Sequence, residues 1–335
     1  MKRFARFTAA AVLAGLCLTA GAAPFLITAE AQQTVTPAAS LSFRNVAALA
    51  LNADGSRLLV ADSATNAASI YDTSEIDSPE LLQLITLDGT PLAATWINQD
   101  DSEFALIIVD ADDAILLQVL ALGSPREGWI PYAIYDMAGD TEHITAGVDG
   151  HWAAAYGAGG SVLMEIISGS ELNSSVVSDQ EVAAAALTET MLLAAGSDSD
   201  LIAIGTTVDG PAIGEVATLS LEDSVITLAA GRDDLAAAIT DAPALVLFQP
   251  STQEIISTLP LRSSTSGLVF MPFASGDNFA IFQPGARSIS FVPAVGDAAI
   301  TAVSIRTTNP VQQAAGAGSI LVTTNGQRAD IYGVE

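Results

Sequence analysis

His143 and His151 are the only two histidines in the chain and bound any imidazole chemistry near neutral pH. His143 follows Asp140 and Glu142, and His151 follows an Asp149-Gly150 turn. At the two ends of one strand they stand about 20–25 Å apart, at about 3.3 Å per residue, too far to share a metal. Both read as solvated loop histidines, and His143, on a loop leading into a repeat unit, is the better placed general base. The densest acidic turn is Asp110-Ala111-Asp112-Asp113. Three carboxylates with turn carbonyls suit a hard cation such as Ca²⁺, although the Gly and terminal Glu of a calcium loop are missing. A solvated hairpin is the plainer reading. Asp198-Ser199-Asp200 is weaker still, because Leu201 follows. No Gly-x-Ser-x-Gly occurs, and Ser161 after Gly159-Gly160 has no evident base.

The N-terminus reads as an export signal spanning residues 1–31. Lys2, Arg3 and Arg6 form a basic start, Phe7 to Ile27 is apolar, and Ala29-Glu30-Ala31 offers a cleavage site. Pro24 and the Ala/Gly content argue against an uncleaved anchor, and Leu16 before Cys17 argues against lipidation. Removal leaves eight arginines, no lysine and 37 acidic residues, a net charge of −29. Such a charge repels phosphate backbones and anionic membranes, which excludes nucleic acid as a partner. The missing lysine excludes a P-loop, a Schiff base and a Ser-Lys dyad. The mature chain also lacks cysteine, so its stability comes from packing without disulfides. The expected location is secreted or periplasmic, with no membrane insertion after cleavage, and the expected state is monomeric.

The elements that position these residues repeat. An apolar run, an Asp/Gly turn and a second apolar run recur seven times, with turns anchored at 54, 100, 149, 198, 233, 276 and 317. The spacings of 46, 49, 49, 35, 43 and 41 residues match a β-propeller of about 40–45 residues and four strands per blade. The fold class is therefore all-β: a seven-bladed propeller filling residues 32–335 as one domain. Small residues before the turns (Ala146-Gly147, Ala195-Gly196, Ala230-Gly231, Ala315-Gly316) suit inner strands crowded at the axis, or reflect a chain rich in alanine. Asp179 to Thr190 reads as outer strand or short helix. The seventh unit has three strands, and residues 39–45 supply the fourth and close the ring. Trp129-Ile130-Pro131-Tyr132 reads as packing in an outer strand, and Arg57, Arg232, Arg287 and Arg328 as partners for nearby carboxylates.

Asn52-Ala-Asp54-Gly55-Ser-Arg57-Leu-Leu-Val-Ala-Asp62, followed by Ser69-Ile-Tyr-Asp-Thr73, resembles the repeat of YVTN-type and lactonase-like seven-bladed propellers. The resemblance is good over about residues 46–73 and partial in the second unit, and it implies a fold (WD40-like in its blades) more than an activity. Lactonases of that group use a His, Glu and Arg cluster near the axis, onto which no motif of this chain maps.

The second hairpin turns and the loops leading into each blade share one rim. A ligand face there combines Asp62, Asp110, Asp112, His143, Asp209 and Asp241, with Asp110, Asp112 and Asp113 as the candidate Ca²⁺ ligands. The expectation is an exported, non-catalytic binding or scaffold module for a protein, glycan or small molecule at the channel mouth. The alternative is a metal-assisted hydrolase of lactone-like substrates.

Overall fold

A computed structural model describes residues 33–99, 102–122, 128–137, 139–148, 150–167, 171–207, 212–263, 267–294 and 302–334. The expected signal peptide lies outside them. Every regular element among the described residues is a strand, and none is a helix long and apolar enough to cross a membrane.

Seven sheets follow one another along the chain, each built of antiparallel strands in sequence order from the axis outward apart from strands that the N-terminal segment adds to the last two. The first blade holds Val46–Leu51, Arg57–Asp62, Ala67–Asp72 and Glu80–Thr86. The later blades span 90–136, 141–178, 184–220, 225–260, 267–306 and 313–333. Burial explains the sequence pattern. Leu58 to Ala61 are fully buried on both sides of their sheet, because each blade is sandwiched between two others, so the strand is a continuous apolar run and not an alternating one. The outer strand Glu80–Thr86 alternates instead, with Leu84 exposed and Ile85 buried. Hydrophobic clusters lie chiefly between adjacent blades. Between the first two, Trp96 and Trp129 meet edge to face with centroids 5.1 Å apart. Trp129 is 2% exposed, so this tryptophan is packing, as expected.

Both chain ends build the seventh blade. Ala39–Ser42 pairs antiparallel with Arg328–Gly333, Ala39 opposite Ile331 and Ser42 opposite Arg328. Asp330, 1% exposed, locks the joint. Its carboxylate accepts hydrogen bonds from Ser40 Oγ (2.6 Å), Arg328 Nε (2.8 Å) and Asn309 Nδ2 (2.7 Å). The segment just before adds something the sequence did not suggest: Gln33–Thr34 lies parallel to Val303–Arg306 as a fifth strand of the sixth blade.

The fourth blade corrects the assignment of one turn while the count of seven blades stands. Its inner strand is Ala184–Leu187, within the segment left between outer strand and helix, and Met191–Ala195 is its second strand. The turn at Gly196–Asp200 is thus a second hairpin and not a first one. The first turn is Thr188-Glu189-Thr190, which brings the uneven 49- and 35-residue gaps back to about 40–45 residues. Ala195-Gly196 accordingly sits one strand away from the axis.

The first hairpin turns stitch the inner rim. Gly55 (φ +78°) of the first blade packs so close to the seventh that an added Cβ would lie 2.6 Å from the Ala317 carbonyl oxygen. Asn98 N donates to Gly150 O at 2.7 Å between the second and third blades.

Candidate binding site at the rim and channel

Alternating strand direction places the blade-leading loops and second hairpin turns on one rim, and the first hairpin turns and the links between third and fourth strands on the other. Asp62, Asp110, Asp112, Asp113, His143 and Asp241 fall on the first rim, at strand ends in blades one, two, three and five. Asp209 lies outside the described residues.

The described rim residues do not converge. Asp62 is 6% exposed and spends its carboxylate on backbone amides: Arg44 N at 2.8 Å, Asn45 N at 3.1 Å and Ala64 N at 2.9 Å. It fixes the path of the chain from the ring-closing strand into the first blade. Asp110 is exposed at its strand end, opposite Thr90 and Ile115. Asp112 takes the turn position with φ 49°, and Asp113 N donates to Ala111 O. Asp241 accepts a hydrogen bond from Ala242 N at 2.7 Å. Among the described residues no group of three or more His, Cys, Asp or Glu is placed to hold a metal ion.

His143 is exposed on Thr141–Ala146, where the register shifts between Thr141 and His143. Its ring lies 5.2 Å from that of Tyr156, tilted by 35°. Burial pushes the Tyr156 hydroxyl above the ordinary tyrosine range, against the opposing effect of a hydrogen bond with the Ala185 backbone. At neutral pH this phenol is protonated and so hydrogen-bonds without acting as a base. His151 is on the other rim, 3.5 Å from Glu165.

The channel itself is a cavity of about 400 Å³ along the inner strands, extending to the first hairpin turns. Leu49, Thr95, Thr145, Thr227, Phe270 and Ala315 represent six of the seven blades in its wall. Among the described residues no charged one lines it. The cavity reaches toward the rim of first hairpin turns, whereas the candidate aspartates stand on the turns of the other rim; among the described residues mostly small and apolar side chains and threonines face the axis. Ala146-Gly147, Ala230 and Ala315-Gly316 do line it, as small residues crowded at an axis should. Three of the singled-out arginines reach carboxylates: Arg57 to Glu103 at 3.0 Å, Arg232 to Asp277 at 3.3 Å and Arg328 to Asp330 at 2.8 Å. The channel threonines escaped the sequence reading because a threonine inside an apolar strand carries no signal of facing an axis.

No family model matches the chain, and no curated protein matches its sequence. Among solved structures 1245 chains match. One, in the crystal structure of a mitotic checkpoint complex, superposes with a TM-score of 0.61 over 96% of this chain and 99% of that chain, at 13% identity. At that identity the likeness shows the propeller, WD40-like fold alone.

Proposed function

We propose that this chain is an exported, non-catalytic binding module, secreted or periplasmic, that uses the rim of second hairpin turns and blade-leading loops to hold its ligand. The observation that carries the reading is the uncharged channel wall. Among the described residues, all seven blades present backbone, apolar side chains, threonines, Asn52, Asn98 and one protonated tyrosine, without a carboxylate, imidazole or ammonium to move a proton. The scatter of the described rim carboxylates over three blades points the same way, since assisted hydrolysis needs them gathered around one centre. A structural neighbour that is itself part of a protein complex agrees with a binding role for this fold. The net charge of −27, or −29 once residues 1–31 are removed, disfavours anionic ligands and keeps copies of the chain apart.

The test is a pair of measurements on the purified chain. Hydrolysis of a panel of lactones and esters, followed by pH-stat with and without Ca²⁺ or Mg²⁺, is expected to stay at the protein-free rate. The melting temperature is expected to be the same in Ca²⁺, Mg²⁺ and EDTA. Saturable turnover would refute the reading.

A further inference from the structure

Between the third and fourth blades lies a second cavity, of about 550 Å³, with Ser161, Gln180 and Ser199 at the side of the second hairpin turns. This is the rim that the proposed function uses, but the cavity lies away from the axis. Its size is within the range of about 300–1,000 Å³ typical of small-molecule sites. Its wall is aliphatic: Val177, Leu192, Ala203, Ile213 and Val216 contribute, and Val216 remains 59% exposed. Space exists because the fourth blade is built of small residues, with Ala194 and Ala195 on its second strand and Ala203 on its third, whereas Ile213 fills the place beside Gly205.

Ser161 gives the cavity a chemical preference. It is 2% exposed, and its Oγ has no hydrogen-bond partner among the described residues. The register of its strand against the outer strand shifts between Ser161 and Val162, so that Val177 is the extra residue of a bulge. Bulges re-aim side chains and recur beside binding sites. A buried hydroxyl without a partner destabilises the protein, and a ligand that supplies the partner recovers that loss. Among the described residues Glu181 is the only charged one in the lining. Together with the charge of the whole chain it opposes an anionic head group.

We propose that the cavity between blades three and four binds a small uncharged amphiphile, an aliphatic chain along the Leu192–Ala203–Val216 wall with a hydroxyl or carbonyl hydrogen-bonded to Ser161 Oγ. The proposal deepens the binding-module reading and rests on it. Calorimetric titration of the purified chain with 1-octanol is expected to show saturable one-to-one binding, at least ten-fold tighter than octanoate. Ser161→Val is expected to weaken octanol by about five-fold or more while raising the melting temperature, because the unpartnered hydroxyl is gone. Ala203→Leu fills the cavity and abolishes binding with the strand spectrum and cooperative melt retained; Ala194→Leu on the adjoining strand serves if that variant does not fold. No octanol binding up to its solubility, equal binding of octanoate, or binding unchanged in the serine and leucine variants overturns the proposal. Ester turnover with octanol binding intact would instead sink the non-catalytic reading and leave the cavity assignment standing.

Discussion

Asp330→Asn tests how the ring is held shut. The substitution keeps the shape of the side chain and removes its charge, and it turns one of two acceptor oxygens into a donor. Three donors already converge there, from Ser40, Arg328 and Asn309, at 2.6–2.8 Å. At least one of them then faces an NH₂ group beside Asp330, which is 1% exposed, and the half-exposed Arg328 guanidinium loses its counter-charge. Losing a hydrogen bond to a charged group costs about 1.5–3 kcal/mol, and water around Arg328 keeps the ionic part small. Each kcal/mol moves the melting temperature of a 150–250-residue domain by about 2–4 °C, and this chain is longer. The expected drop is therefore about 3–6 °C in a circular-dichroism melt. Ser40→Ala removes a single hydrogen bond of about 1 kcal/mol and lowers the melt by about 2 °C. The two substitutions share one network, so the double variant falls short of their sum by at least about 0.5 kcal/mol. Limited proteolysis of Asp330→Asn is expected to cut first within residues 33–45, as the closing strand is released. A melt within 2 °C of the parent, with an unchanged cleavage pattern, would show that this joint does not hold the ring.

Truncation separates the two N-terminal strands: loss of residues 33–36 removes a two-residue parallel addition and is expected to change the melt by no more than about 3 °C, whereas loss of 33–43 exposes the edge of the seventh blade and lowers it by more than about 10 °C. Gly55→Ala, measured by the same melt, forces a side chain onto φ +78° and against the Ala317 carbonyl, with an expected loss of about 2–3 kcal/mol, or about 4–8 °C. Asp72 is held below the ordinary carboxylate range by the Ser74 hydroxyl and amide, which outweigh its slight burial. A folded-state pKa below the unfolded one stabilises above the unfolded value of about 3.9 and stops stabilising as pH falls through the folded value. Asp72→Asn is thus expected to melt slightly lower than the parent at pH 7 and identically at pH 2, as followed by melts across that range.

The architecture was legible because turn chemistry repeats. Asn52–Gly55 and Gly231–Asp234 carry residues suited to left-handed backbone, and Gly55, Asp233 and Asp234 do adopt positive φ. The reading slipped at the fourth blade for the same reason. Its first turn, Thr188-Glu189-Thr190, contains neither Gly nor Asp. The Thr188 hydroxyl closes it by accepting from Thr190 N at 3.3 Å and Met191 N at 3.0 Å, a weaker signal than an Asp-Gly pair. The inner strand before it is four residues of mostly alanine, too short and too bland to announce a strand. Asp62 was legible as a turn residue, but its three amide donors were not, because Arg44 and Asn45 stand 17–18 residues upstream and meet it only in the fold.

The acidity of the chain and its candidate binding site have separate origins. Many aspartates sit at turns and serve the backbone locally: Asp54 accepts from Ser56 N, Asp72 from Ser74 N, Asp234 from Ser251, and Asp241 from Ala242 N. Two or more such turns per blade, repeated around a ring with few basic residues, accumulate a large negative charge without gathering carboxylates anywhere. A search for function that follows charge therefore ends on turn geometry. Alanine substitution in the blades has the opposite consequence. Where an inner strand meets its neighbours, small side chains let the strands crowd the axis; in the second and third strands of the fourth blade nothing crowds in, and the same small residues leave room beside Ser161. The place to look for recognition in this propeller is accordingly where its repeat is least regular, between the third blade and the fourth, and not where its charge is densest.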